Sequence, residues 1–332
     1  MSLPALAAIR QRFPTAHIAI LARPWVADLY AEEPFADQVI PLTAGRGASD
    51  LAGKWNAAQI LREKKFDCAI LLQNAFEAAL LAWLARIPRR IGYARDGRAW
   101  LLTDPIAVPH PGEIPRHERF YYLEMLHRAG ILDELPSDPV IALSRAAQLR
   151  VSGQQRLAEA NLPSPVVGVS PGAAFGGAKR WLPERFAESA IELARELRAG
   201  VAVFGSENER ALCEQVAGAI RERKILVHDF AGETTLRQFI ELAAGCALYV
   251  TNDSGAMHLA SALAVPTVVV FGPTDETATG PTGPLATVVR EQVDCSPCLL
   301  RECPIDHRCM TRVTADRVVK AGLSMLAADE RR

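Results

Sequence analysis

One alternation recurs along this chain: a short apolar run rich in β-formers opens into a polar loop, and an amphipathic helical stretch follows. A parallel sheet flanked by helices is the architecture that closes such a pattern. In the first half, residues 17–21, 38–42, 67–72 and 90–93 read as strands. Helical periodicity occupies 3–12, 25–32, 53–64 and 76–85, with a longer helix over 115–129. An acidic, proline-containing stretch at 132–139, a helix over 145–160 and N-L-P-S-P at 161–165 mark the connection between the halves. The alternation then restarts, with strands at 166–170, 201–205, 224–227, 248–251 and 267–271. Helices are expected at 183–198, 207–220, 236–244 and 255–263. Two doubly wound α/β domains are therefore expected, over residues 1–160 and 161–332. A length of 332 residues agrees, being too long for one ordinary core. Ligands of such sheets bind beyond the C-terminal strand ends, which makes a cleft between the domains the expected active site.

Formal net charge is −1, which gives no electrostatic footprint for nucleic acid. No basic leader with an apolar core opens the sequence. The longest apolar run, 259–271, contains Pro266 and is too short to span a bilayer. A cytoplasmic location is the expectation.

The most informative string is L-Y-V-T-N-D-S-G-A-M-H at 248–258. A strand runs into a small polar loop, and a helix starts at Gly255. Amide hydrogens of Ser254, Gly255 and Ala256 would point out of that helix N-terminus, a natural seat for a diphosphate. Gly255 lets a phosphate approach without a Cβ in the way. Asp253 at the strand tip can accept from sugar hydroxyls, and His258 lies one turn into the helix. The bland alternative is that Asp253 or Ser254 merely caps the helix. A second string, V-V-G-V-S-P-G-A-A-F-G-G-A-K-R-W at 166–181, delivers Ala173, Ala174 and Lys179 to the same strand ends. There a lysine would neutralise a departing pyrophosphate; otherwise it is an exposed lysine before a helix, with Trp181 as a packing anchor. F-G-P-T-D at 271–275 offers Thr274. A-G-E-T-T at 231–235 offers Thr234, where a base or ribose could rest or where Thr234 or Thr235 could cap a helix. No G-x-G-x-x-G follows a strand with an acidic residue at the proper distance, which argues against a nicotinamide-dependent dehydrogenase.

Together, P-G-A-A-F-G-G-A-K-R-W (171–181), F-G-S-E (204–207), A-G-E-T-T (231–235), T-N-D-S-G-A-M-H (251–258) and F-G-P-T-D (271–275) resemble the ADP-heptose:lipopolysaccharide heptosyltransferases, a family with the GT-B fold. L-R-E-K-K-F-D (61–67) and I-P-R-R-I-G-Y (87–93) extend the likeness through the first half. Within the family it is greatest to the enzymes that add the second inner-core heptose. The resemblance implies an inverting transferase that moves L-glycero-D-manno-heptose from ADP-heptose to heptosyl-Kdo2–lipid A without a catalytic metal. It implies Lys179 at the donor phosphates, Asp253 at the heptose, and Ser254, Gly255 and His258 around the diphosphate. A related transferase with another core acceptor, or a non-catalytic binder of sugar nucleotide or glycolipid, are the alternatives.

Family members begin with a strand and a Gly-Asp loop whose aspartate is the candidate general base; that residue has no counterpart here, and the catalytic base is unassigned. The alternation itself calls for a strand before the first helix. In a doubly wound sheet that strand is internal, and its absence leaves two neighbours with unpaired ladder groups. An upstream segment of roughly a dozen residues, enough for one strand and a loop, is expected.

Arg62, Lys64, Lys65, Arg86, Arg89, Arg90, Arg95 and Arg98 gather in the first half. Arginines near strand ends suit the anionic acceptor that the resemblance implies, with Asn74, Arg89, Arg90 and Arg95 as candidates and Glu77 beside them; a solvated face is the bland reading. Peripheral contact with the inner membrane is compatible with such an acceptor, though no strong amphipathic anchor is visible. Cys68, Cys213 and Cys246 read as core residues. Cys295, Cys298, Cys303 and Cys309, with His307 among them, form a C-terminal cluster in the loop 295–309. Structural zinc, reduced thiols pinning a long loop, or disulfides would each explain it.

Overall fold

The computed structural model describes residues 1–45 and 50–329. They form two compact units, Met1–Pro139 and Val140–Arg332.

In the first unit, α1 (Leu3–Arg12), β1 (Ala19–Ala22), α2 (Pro24–Tyr30), β2 (Gln38–Pro41), α3 (Leu51–Glu63), β3 (Cys68–Leu71), α4 (Phe76–Leu84), β4 (Arg89–Tyr93), β5 (Asp104–Ile106) and α5 (Arg119–Arg128) follow in order. Asp50 starts α3 by accepting from the Gly53 amide at 2.8 Å, an N-cap that the periodicity alone did not reveal. The strands are all parallel but lie in two sheets, β1–β2 and β3–β4–β5. Residues of β1 and β3 nevertheless share apolar clusters. Ala19 and Leu21 pack with Ala69 and Leu71, while Ile18 packs with Cys68 and Ile70. Among the described residues no strand pairs with the second edge of β1 or of β3.

The second unit contains α6 (Ala146–Glu159), β6 (Val166–Ser170), α7 (Pro183–Leu197), β7 (Gly200–Val203), α8 (Arg210–Glu222), β8 (Val227–Asp229), α9 (Leu236–Ala244), β9 (Leu248–Asn252), α10 (Gly255–Ala262), β10 (Thr267–Phe271), α11 (Glu276–Thr279), β11 (Ala286–Arg290), α12 (Arg308–Thr311) and α13 (Ala315–Asp329). Its six parallel strands are ordered β11-β10-β9-β6-β7-β8. Chain order reverses between β6 and β9, the doubly wound arrangement with its switch point there. Every residue of β6, β9 and β10 is buried, because helices cover both faces; that is why these strands are continuous apolar runs. Amphipathic α7 buries Phe186, Ala190, Leu193 and Ala194 at helical spacing. Thr235 and Gln238 form a capping box on α9.

The structure moves the boundary between units from 160/161 to Pro139/Val140, because α6 belongs to the second unit. It packs along α9 so closely that a Cβ on Gly153 would lie 2.0 Å from the Glu241 carbonyl oxygen. The sequence pattern also left β5, β11 and α13 unread.

Candidate active site

The switch point brings the two most informative loops together. After β6 the chain runs through Pro171 and Gly172 to a short 3-10 turn, Gly177–Lys179. After β9 it passes Asn252 and Asp253 into α10. Buried Asn252 ties the loops to each other: its Oδ1 accepts from the Trp181 amide at 2.9 Å and its Nδ2 donates to the Pro171 carbonyl at 2.7 Å. Trp181, 1% exposed, donates its indole N–H to the Val313 carbonyl and stacks edge-on against Phe186. It is the packing anchor, and it fixes where Lys179 begins.

Lys179 then donates through Nζ to Asp253 Oδ2 at 2.6 Å. Thr274, reaching over from the loop after β10, donates its hydroxyl to the same oxygen at 2.6 Å. All three side chains are largely buried. The Lys179 ammonium also lies 4.9 Å from the Phe175 ring centroid. A cation and an anion are thus held in fixed geometry at the C-terminal strand ends.

Capping does not account for Asp253 or Ser254. Ser254 occupies the N-cap position of α10 but makes no side-chain cap; its hydroxyl meets that of Thr251 at 3.3 Å. The Asp253 carboxylate is turned to Lys179 and Thr274 instead. Space beyond the Gly255 Cα is open, with no atom within 4 Å of where a Cβ would stand. The first turn of α10 therefore offers amide hydrogens, the positive helix end and room for an anion beside Lys179. His258 is half-buried in the second turn of the same helix, Ala173 is buried and Ala174 exposed in the β6 loop.

At β8 the capping role falls to Thr235, whose hydroxyl accepts from the Gln238 amide. Thr234 instead lines a cavity of about 300 Å³ with Arg156, Glu159, Phe230, Gln238 and Leu242. Beside it, Phe230 stacks on Phe204 with centroids 5.4 Å apart.

The sequence did not foresee how the cysteine-rich loop is used. Its main chain and side chains hold the Lys179 turn. Ala178 N–H donates to the Arg301 carbonyl at 2.9 Å, and Gly177 N–H donates to Glu302 Oε1 at 2.9 Å. The His307 ring meets the Ala178 carbonyl at 2.8 Å, and the Arg301 guanidinium covers Phe175. All seven cysteines are free thiols. No group of three or more His, Cys, Asp or Glu is arranged to hold a metal ion among the described residues. These contacts make the loop a clasp on the Lys179 turn. Cys309 is buried in it, and burial followed by the neighbouring Cys295, Cys298 and Cys303 thiols pushes its pKa up.

The first-unit candidates fall into two groups: Asn74 and Arg95 meet at Tyr121, while Arg89 and Arg90 lie apart from them. Asn74, beyond the C-terminal end of β3, donates to the Tyr121 hydroxyl at 3.0 Å, and Arg95, beyond β4, reaches the same hydroxyl and Asp96. Arg89 and Arg90 stand at the opposite, N-terminal end of β4, where Arg89 pairs with Asp104 at 3.0 Å. Arg90 is spent on the carbonyls of Ile87, Pro88 and Leu101. Arg98 is fully buried, donating to the Tyr93, Gln73 and Ala75 carbonyls, and is a structural clamp. Glu77 is bound to Lys54 at 2.9 Å.

Known proteins share this fold. Residues 55–308 match glycosyltransferase family 9 (heptosyltransferase). Lipopolysaccharide heptosyltransferase 2 of Salmonella typhimurium is 34% identical over 288 residues, 85% of this chain and 81% of that protein. Its Escherichia coli counterpart is 33% identical over 289 residues, with the same coverage. Among solved structures, E. coli ADP-heptose lps heptosyltransferase II superposes with a TM-score of 0.83 at 29% identity, over 99% of this chain and 95% of that one. An E. coli heptosyltransferase solved with ADP shares the fold at a TM-score of 0.71 and 18% identity, over 98% and 95%. The chain, an α/β protein with parallel sheets in two units, belongs to the heptosyltransferases of glycosyltransferase family 9.

Proposed function

We propose that this enzyme transfers L-glycero-D-manno-heptose from ADP-heptose to the heptosyl-Kdo2–lipid A inner core of lipopolysaccharide, working in the cytoplasm at the face of the inner membrane. The second unit is the donor-binding unit in this reading, and the first receives the acceptor. The observation that carries it is the Lys179–Asp253–Thr274 cluster at the switch point beside the uncapped N-terminus of α10. Breaking the bond from the anomeric carbon to the diphosphate leaves negative charge on ADP. Lys179 and the amides of the first turn of α10 are placed to stabilise it as it develops. Asp253 holds the ammonium and accepts from heptose hydroxyls. Thr234, in its cavity beside the Phe204–Phe230 stack, borders the nucleoside end. The acceptor hydroxyl attacks the anomeric carbon from the opposite face and inverts it. No divalent ion enters the scheme, since Lys179 supplies the cation.

The test is release of ADP from ADP-heptose in the presence of heptosyl-Kdo2–lipid A. Lys179→Ala is expected to lower kcat by roughly 10²–10³, the scale of losing one transition-state donor. Undiminished turnover by that variant, or no transfer by the unaltered protein, would overturn the reading.

A further inference from the structure

Three exposed aromatic rings form one patch on the outer side of α4. Trp100, 67% exposed, lies 6.3 Å from both Phe76 and Trp83, which are 37% and 45% exposed. Phe76 and Trp83 are seven residues apart on α4, two turns along one face. The only charge on that helix, Glu77, is neutralised by Lys54. A contiguous aromatic surface of this kind marks an interaction site rather than ordinary exposure.

Its surroundings are positive. Arg86 follows α4 and is exposed, without a carboxylate partner among the described residues. The half-buried Arg90 guanidinium is bound by the carbonyls of Ile87, in the turn after α4, and of Leu101, beside Trp100, so its charge is not compensated by an acid. Two of the nearby acids are paired, Asp104 with Arg89 and Asp96 with Arg95. Tryptophan rings sit at headgroup level, one end apolar and the other wet, and arginine beside them meets lipid phosphates.

We infer that Phe76, Trp83 and Trp100, flanked by Arg86 and Arg90, form a surface that docks on an anionic phospholipid bilayer. The choice of a membrane as occupant rests on the proposed lipid-linked acceptor, but the test does not use that acceptor. Full-length protein is floated with vesicles of phosphatidylcholine alone and of phosphatidylcholine mixed with phosphatidylglycerol. The unaltered protein binds the mixed vesicles with blue-shifted tryptophan emission and binds the neutral ones more weakly. Trp83→Ser with Trp100→Ser lowers that binding about tenfold, and Arg86→Glu, a surface change that leaves the fold alone, lowers it several-fold. Equal binding by all three proteins, or none by the unaltered one, overturns the proposal. So does sedimentation showing a dimer that the serine pair dissociates, since the occupant would then be a second copy. Failure of heptose transfer with vesicle binding intact would refute the function and leave the surface standing.

Discussion

Two donors converge on one oxygen of Asp253, and that arrangement ties folding to chemistry at the residue scale. Removing Lys179 alone leaves a buried carboxylate with its main counter-charge gone, a change that costs about 3–5 kcal/mol. Lys179→Ala will therefore lower the melting temperature as well as turnover. Lys179→Met combined with Asp253→Asn removes both charges together. We expect it to regain most of the lost melting temperature in calorimetry while ADP release stays abolished. A double variant that recovers activity along with stability would show that the pair is structural only. The thiols separate in the same way. Burial pushes Cys213 up to about 12, whereas Cys295 and Cys298 are exposed. Iodoacetamide at mildly alkaline pH should label the latter two first, as read by peptide mass spectrometry, with Cys213 untouched in the folded protein.

Among elements, the loop after β10 and β11 has the least obvious task. Glu302, Arg301 and His307 clasp the turn that ends in Lys179. Losing a hydrogen bond of this kind costs about 1 kcal/mol. His307→Ala should reduce kcat/KM several-fold with a melting temperature close to the original, and His307→Asn should restore part of it. Helix contact is testable separately. Gly153→Ala would drive a methyl into the Glu241 carbonyl, and thermal unfolding should register a loss of roughly 1–3 kcal/mol in the second unit. These elements also show what the sequence made legible. β6, β9 and β10 could be read because burial on both faces makes them apolar throughout. β5 is three residues with a central proline, and β11 is a sheet edge whose burial alternates, so neither stands out. The Lys179 and Asp253 motifs were each visible, but their contact spans 74 residues and exists because β6 lies beside β9. The clasp by 301–307 rests partly on main-chain groups and leaves no pattern in the side chains. Arg89 and Arg90 are close to Arg95 in sequence, but strand polarity puts them at the other end of β4 from it.

For the whole molecule, the two units differ in how many sheets their strands form. The second has one sheet of six strands, whereas the described strands of the first form two sheets, with β1 and β3 at their margins. Among the described residues, backbone donors and acceptors along those two margins have no neighbour in the sheet, and the residues of β3 are only half-buried. Amides of β1 and β3 should consequently exchange with deuterium well before those of β6 and β9; matched protection factors would contradict this. A margin of that kind is adhesive. It will template any extended segment that fits between Leu21 and Ile70, whether from a misfolded neighbour in a concentrated preparation or from a short apolar peptide supplied on purpose, and the latter should act as a solubilising additive.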